Sequence, residues 1–377
     1  MKWGLHMLLN YKIKKNLNDK QVQLLLDKLT YSIEGLEDLS YSEETNELIM
    51  KLDQSTDPDV CIQVADHLSE KVKNIRAFRT KVLTTNLNKN GELSEGGNHF
   101  NPMIRNSIDM HIENAVRNMT RKIANKMNAD LRRYPSTIPL SVLQKCNYTE
   151  SFPQNLYMIS QFPHQLKELE TVRQRGIDQN NTQLSGDALS PAVCFHCYEE
   201  MSNKRIITPA IFAIEGNCFR HEAKWRLAKH RIREFTMIEL VFFGAPQEVE
   251  DVRTSIMNQV WEVFNEIGLT GSIATASDPF YFSEDAEKGQ FQILSDMKYE
   301  LEVNIKSDKE NKNFSIASFN NVRESLAHKF NVKGVNNEVI HSGCVAFGVD
   351  RWVYALLATY GNKLEKWPSV VKSILEL

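Results

Sequence analysis

Apolar and polar residues alternate from the start of the chain, where Leu8–Lys14 (LLNYKIK) has the two-residue period of a strand. The next stretch changes period: Val22, Leu25, Leu26 and Leu29 recur at helical spacing within DKQVQLLLDKLTY. Residues 35–53 (GLEDLSYSEETNELIMKLD) read as two strands around a polar turn at Glu43–Asn46. A second helix follows over DPDVCIQVADHLSEKVKNI, with an acidic start and Val60, Val64, Leu68 and Val72 on one face. FRTKVLTT supplies a last strand. The order is βαββαβ, so residues 1–86 are expected to form a small ferredoxin-like module.

Residues 87–101 (LNKNGELSEGGNHFN) lose all periodicity and are rich in Gly and Asn, which marks a linker. From 102 to 377 the pattern predicts one large α+β domain. It opens on a long helix whose stripe is Ile108, Ile112, Ala115, Val116, Met119, Ile123 and Met127. DLRRYPSTIP leaves that helix as an extended segment broken by Pro135. Strands are expected at AIFAIEGNCFR, FTMIELVFFG, KYELEVNI and NFSIASF, with a helix at DVRTSIMNQVWEVFNEIG.

Composition narrows the function classes. Hydrophobic content of 42% and charged content of 25% are those of a globular protein. A formal charge of −3 argues against affinity built on neutralising many phosphates, although a local basic groove is compatible with it. No run of eighteen apolar residues occurs, so no membrane span is expected. The N-terminal MKWGLHMLLNYKIKK lacks a small-residue cleavage site and is read as a first strand, not a signal peptide. Six sparse cysteines suit a reducing cytoplasm, where they serve as core residues, metal ligands or nucleophiles.

Three stretches carry candidate chemistry. Residues 217–240 enclose Arg220, Lys224, Arg226, Lys229, His230, Arg231 and Arg233 between two strand-like ends. Such a loop is either a solvated basic hairpin or a cover for a triphosphate, since Arg binds phosphate oxygens in bidentate fashion. In HSGCVAFGVDRWVY, Arg351 opens a helix directly after a Gly-bounded strand, and the glycines let a ligand approach the backbone. In LSPAVCFHCYEEM, Cys194 and Cys197 form a CxxC with no second pair downstream. That argues against a closed zinc knuckle and leaves packing or an open site.

Taken together these stretches resemble the class II aminoacyl-tRNA synthetases. FRHE (Phe219–Glu222) and its basic loop are similar to motif 2, GCVAFGVDR (Gly343–Arg351) to motif 3, and the helix ending in DLRRYP to motif 1. MKYELEV (Met297–Val303) and REFTMIE (Arg233–Glu239) are similar to the seryl branch. Cys344 and Ala346 depart from the usual glycine-rich run. That departure resembles the zinc-dependent relatives, namely the atypical archaeal seryl-tRNA synthetases and the amino acid:[carrier protein] ligases that have lost the tRNA arm. The ligase pattern runs in order from about Met103 to Gly361.

The resemblance implies a class II synthetase-like antiparallel sheet flanked by helices, and a homodimer through motif 1. It implies a zinc ion (Zn2+) held by Cys194, Glu234 and Cys344, with Cys197 left to packing. For ATP it implies Arg220 on the α-phosphate, Glu222 on adenine, Arg226 and Leu227 in the closing loop, and Arg351 on the γ-phosphate. Lys298 and the run Ser315, Ile316, Ala317 and Ser318 would line the nucleotide and metal pocket, with Glu300 or Glu302 holding magnesium (Mg2+) or the amine. The implied reaction is adenylation of a small amino acid (glycine, alanine or serine) and transfer to the phosphopantetheine of a carrier protein, without tRNA. A seryl-type tRNA synthetase and a non-catalytic regulatory paralogue are the alternatives.

Overall fold

The computed structural model describes residues 6–75, 80–87, 100–278, 280, 282, 286–305 and 312–377. Most of the expected linker, residues 88–99, therefore lies outside the described residues. The chain divides into two compact units. One is Met1–Thr80 together with Glu222–Leu227 and Ser277–Ser295, and the other is Lys81–His221, Ala228–Ala276 and Asp296–Leu377.

The first unit contains β1 (Met7–Lys12), α1 (Asp19–Thr30), β2 (Leu36–Ser42), β3 (Glu47–Leu52) and α2 (Pro58–Lys73), with α9 (Ala286–Leu294) from its last segment. Its sheet has the order β1-β3-β2, and both pairings are antiparallel. Asn18 caps α1 reciprocally with Gln21, satisfying donors that the first turn would otherwise leave open. Asn46, in the left-handed region at φ 55°, ends the polar turn between β2 and β3. Val22, Leu25 and Leu29 of α1 are buried as the spacing predicts. Helix α2 is rotated from its expected face: Cys61, Ala65, Ser69 and Val72 are buried, while Val60 is 52% exposed. The small side chains let the helix lie close to the sheet, and Val64 and Leu68 flank that contact.

The expected fourth strand of the module goes elsewhere. β4 (Val82–Asn86) pairs with β12 (Gly271–Thr275) in the second unit, so the first unit's sheet has three strands and not the four of a βαββαβ fold. With Val82 and Leu83 largely exposed, β4 is held by ladder hydrogen bonds more than by burial.

The second unit is built on an eight-stranded sheet in the order β4-β12-β13-β14-β16-β11-β10-β5. Its remaining strands are β5 (Asp130–Arg132), β10 (Ala210–Phe219), β11 (Glu234–Gly244), β13 (Lys298–Ile305), β14 (Lys312–Arg323) and β16 (His341–Gly348). Every pairing is antiparallel except that of β5 with β10. Helices α3 (Ser107–Lys126), α8 (Pro246–Ile267), α11 (Val349–Tyr360) and α12 (Ser369–Leu375) contribute to the core on one face, with Ile238, Leu240, Phe242, Val345 and Phe347. α4 (Leu140–Lys145), α7 (Cys194–Glu200) and α10 (Ser325–Lys329) contribute to the core on the other, with Ile214, Val241 and Phe243. The strict alternation along β11 is what a strand covered on both faces requires. α3 begins on a reciprocal cap between Asn106 and Asp109, and α8 ends on Gly268 at φ 80°, as a helix C-terminus favours.

A smaller sheet, β6-β8-β7, joins β6 (Thr137–Pro139), β7 (Met158–Gln161) and β8 (Gln183–Leu189). Short elements complete the unit: α5 (Tyr148–Ser151), α6 (Leu166–Arg175) and the parallel pair β9 (Arg205–Ile206) and β15 (Lys333–Gly334). This is the antiparallel sheet flanked by helices that the sequence led us to expect.

Candidate active site

The second core face of the large sheet carries an unusual polar group. Register places Val241 opposite Cys344 and Glu239 opposite Ala346, so Glu239 and Cys344 lie on one face of β11 and β16, one row apart. Cys194, the first residue of α7, comes down onto the same face. The Cys194 and Cys344 thiols and a Glu239 carboxylate oxygen all lie within 4.8 Å of one another.

The local chain is built to hold Cys194 there. Phe219 N donates to Ser190 O at 2.9 Å, and the buried Ser190 hydroxyl donates to Ala192 O at 2.8 Å. Val193 N donates to Glu239 Oε1 at 3.1 Å. Gly216 admits this segment: a Cβ there would stand 2.9 Å from Val193 Cγ1.

Glu239 is 1% exposed. Burial pushes its carboxyl above the usual range, against the pull of the Cys194 thiol, the Val193 N–H and the Arg220 charge. The Cys194 thiol is also pushed up, first by its hydrogen bond with Cys344 and then by burial. The buried Glu239 carboxyl and Cys194 thiol thus favour their protonated forms, whereas a cation held among the three side chains would favour the deprotonated ligands.

Glu234 is not brought to this cluster. It opens β11, is exposed, and accepts from Asn217 Nδ2 at 3.0 Å. It lies an odd number of residues from Glu239, so the pleat turns the two side chains to opposite faces. Cys197 is fully buried in the core beneath α7.

The face continues across the sheet. Cys344 pairs with Asn320 and Asn320 with Lys298, while Ala346 pairs with Ser318 and Ser318 with Glu300. Lys298 and Glu300 form an ion pair at 3.0 Å. Burial, then Glu300, raises the Glu302 carboxyl. Ile316 and Ala317 are 1% and 3% exposed and pack in the opposite core, so the backbone is what they can offer a ligand.

Arg220 directly follows β10. Its Nε donates to Pro191 O at 3.2 Å, and its guanidinium stands 5.2 Å from the centre of the Phe235 ring. Arg351 lies in the first turn of α11 and donates from Nε to His230 O at 3.0 Å and from Nη1 to Ser315 O at 2.8 Å. The neighbouring Asp350 accepts from Thr236 N at 2.6 Å and from Arg105, which fixes the strand-to-helix turn.

Glu222, Arg226 and Leu227 belong to the first unit. There Tyr31 Oη donates to Glu222 Oε2 at 3.0 Å, Arg226 Nη2 pairs with Asp27 Oδ1 at 2.6 Å, and Trp225 packs on the core of that unit. Leu227 is 40% exposed. Asp27 and Tyr31 were not singled out by sequence; they lie on and just beyond a helix read only for its apolar stripe.

Comparison with known proteins agrees with this architecture. Residues 177–360 match the tRNA synthetase class II core domain (G, H, P, S and T). The chain is 31% identical over 251 residues to amino acid–[acyl-carrier-protein] ligase 1 of Bradyrhizobium diazoefficiens, covering 65% of this chain and 76% of that protein. It is 26% identical over 272 residues to the type-2 serine–tRNA ligase of Methanopyrus kandleri, covering 66% of this chain but 51% of the ligase. The fold is shared with the M. kandleri seryl-tRNA synthetase in its crystal structure with A. aeolicus tRNASec, at a TM-score of 0.69 and 18% identity over 98% of this chain and 77% of that one. On its sheet, its ordered motifs and its similarity to the Bradyrhizobium enzyme, the chain belongs to the amino acid–[acyl-carrier-protein] ligases built on the class II tRNA synthetase core.

Proposed function

We propose that the protein activates a small amino acid with ATP and passes the aminoacyl group to the phosphopantetheine thiol of a carrier protein. The observation that carries the reading is the convergence of Cys194, Glu239 and Cys344 on a sheet face of a class II fold. Two thiolates and a carboxylate are a zinc donor set, and three protein ligands are the number that leaves one position open. Glu239 takes the place in that set expected of Glu234. A bound zinc supplies a Lewis-acidic position for the amino acid's α-amine, which selects against compounds lacking one.

The remaining work falls to the chain's own groups. The amino acid carboxylate attacks the α-phosphorus of ATP, forming an acyl-phosphate bond while pyrophosphate departs. Arg220 neutralises the charge that builds on the α-phosphate, and Arg351 holds the γ-phosphate; Glu300 or Glu302 would hold Mg2+, which would share that neutralisation. Glu222 reads adenine, and Arg226 and Leu227 close the loop. Lys298 and the Ser315–Ser318 run line the nucleotide side. A thiol then attacks the acyl carbon and AMP leaves, giving a thioester. The acceptor is chosen on the Bradyrhizobium relative, whose name specifies an acyl carrier protein. We further propose that the enzyme works as a cytoplasmic homodimer through α3 and the DLRRYP segment. Among the described residues, no helix is long and apolar enough to cross a membrane.

Amino acid-dependent ATP–pyrophosphate exchange across the twenty amino acids tests activation. Exchange with one small amino acid is expected, lost together with bound zinc in Cys344→Ala. Aminoacylation of a phosphopantetheinylated carrier, run beside tRNA, tests the acceptor. Transfer to tRNA alone would favour the seryl-type reading, and absence of any exchange would favour a non-catalytic paralogue.

A further inference from the structure

Cys344 has a partner on β14 that the mechanism above does not use. Asn320 lies directly opposite Cys344 in the β14–β16 ladder. Its Nδ2 is 3.5 Å from Cys344 Sγ, 3.3 Å from Cys344 O and 3.2 Å from Ser318 Oγ. These contacts fix which end of the amide faces the sulfur. The Cys344 carbonyl can only accept, so the amide must turn its N–H groups toward Cys344, and the same NH2 group then meets Sγ.

We propose that Asn320 is a positioning residue for the metal centre, donating a hydrogen bond to the Cys344 thiolate that sets how tightly the site holds zinc. The proposal rests on the zinc reading above. A ligand thiolate carries lone pairs beyond the one given to the metal, and at the half-buried Cys344 water solvates them only in part. An amide N–H aimed at the sulfur stabilises that charge and fixes the side-chain rotamer. The same bond withdraws electron density from the sulfur, leaving the ion more Lewis acidic toward an incoming amine. Outer-shell donors of this kind change metal affinity by about 10–100-fold when removed.

Two variants separate the donor from the shape. Asn320→Leu keeps the approximate volume and removes the N–H. Asn320→Asp keeps the shape and sets a carboxylate, which cannot donate when ionised, against the thiolate and the Cys344 carbonyl. Zinc affinity is measured by competition with a chromogenic chelator on the folded full-length protein. The expected result is a loss of about tenfold in Asn320→Leu and up to about a hundredfold in Asn320→Asp. A second readout uses cobalt in place of zinc: loss of the N–H···S bond raises the energy of the sulfur lone pairs. The thiolate-to-cobalt charge-transfer band is therefore expected to move to longer wavelength in Asn320→Leu, a change that mere loosening of the fold does not produce. If Asn320→Leu fails to fold, the isosteric Asn320→Asp carries the affinity test alone. A wild type that binds zinc, alongside variants of equal affinity and unshifted cobalt spectrum, overturns the role of Asn320 and leaves the zinc site standing. A wild type that binds no zinc overturns both.

Discussion

Glu234 and Glu239 stand five positions apart on β11, and that odd spacing puts only Glu239 on the face of Cys344. Both lie in REFTMIE, and the motif alone favours the acid beside the arginine. A different signal was present: Glu239 is the one charged residue inside FTMIELVFFG, and an ionised carboxylate in an apolar strand is costly unless a cation or donors receive it. Only the pairing of β11 with β16 shows that Glu239 shares a face with Cys344 while Glu234 does not. The two thiols could be nominated from their motifs, but Asn320 could not, because its role depends on a ladder partner 24 residues away. Glu239→Gln is therefore expected to abolish stoichiometric zinc binding and amino acid-dependent pyrophosphate exchange. Glu234→Gln should retain bound zinc. Metal content by atomic spectroscopy on the two proteins decides between them, and loss of zinc from Glu234→Gln with retention in Glu239→Gln would reverse the assignment.

At the scale of elements, periodicity located the long helices and the central strands because both are long and face a core. It misjudged α2, where valine and leucine define the most apolar stripe but small residues define the contact. It also assigned β4 to the wrong sheet, since alternation does not name a partner. Close approach between strands is similarly invisible in the pattern, and the glycines of β16 test it. A Cβ at Gly343 would collide with the Asn320 carbonyl oxygen and the Phe242 ring, whereas one at Gly348 would find its nearest neighbour, Arg351 Cδ, at 3.5 Å. Gly343→Ala must push β16 off β14 or distort Phe242, and is expected to cost about 1–3 kcal/mol, the usual range for overpacking. Gly348→Ala should cost much less. Denaturant midpoints of both variants measure the difference. Equal midpoints would mean that the β14–β16 spacing is looser than the contacts around Gly343 require.

At the scale of the whole molecule, the division into units does not follow the order of the chain. The first unit takes in Glu222–Leu227, a piece of the basic loop that the family motif assigns to the nucleotide. Sequence placed that loop between two strands and could not show that this piece bonds to residues 191 and 199 positions earlier. Within that unit Tyr31 holds Glu222 and Asp27 holds Arg226, so the conformation of the piece Glu222–Leu227 is set partly by α1 and the residue that caps its end. Each contact is a hydrogen bond worth about 0.5–1.5 kcal/mol net. If the two acceptor and donor groups on the loop bind ATP as proposed, releasing either one returns to the free enzyme an ordering cost that ATP must then meet. Asp27→Asn and Tyr31→Phe are each expected to raise KM for ATP by roughly two- to tenfold, as that energy implies. Zinc content and KM for the amino acid should stay unchanged, because neither residue touches the cluster of Cys194, Glu239 and Cys344. Steady-state exchange kinetics with each substrate varied in turn provide the test. An unchanged KM for ATP in both variants would free the loop from α1, and a parallel rise in both KM values would point instead to a general loss of structure.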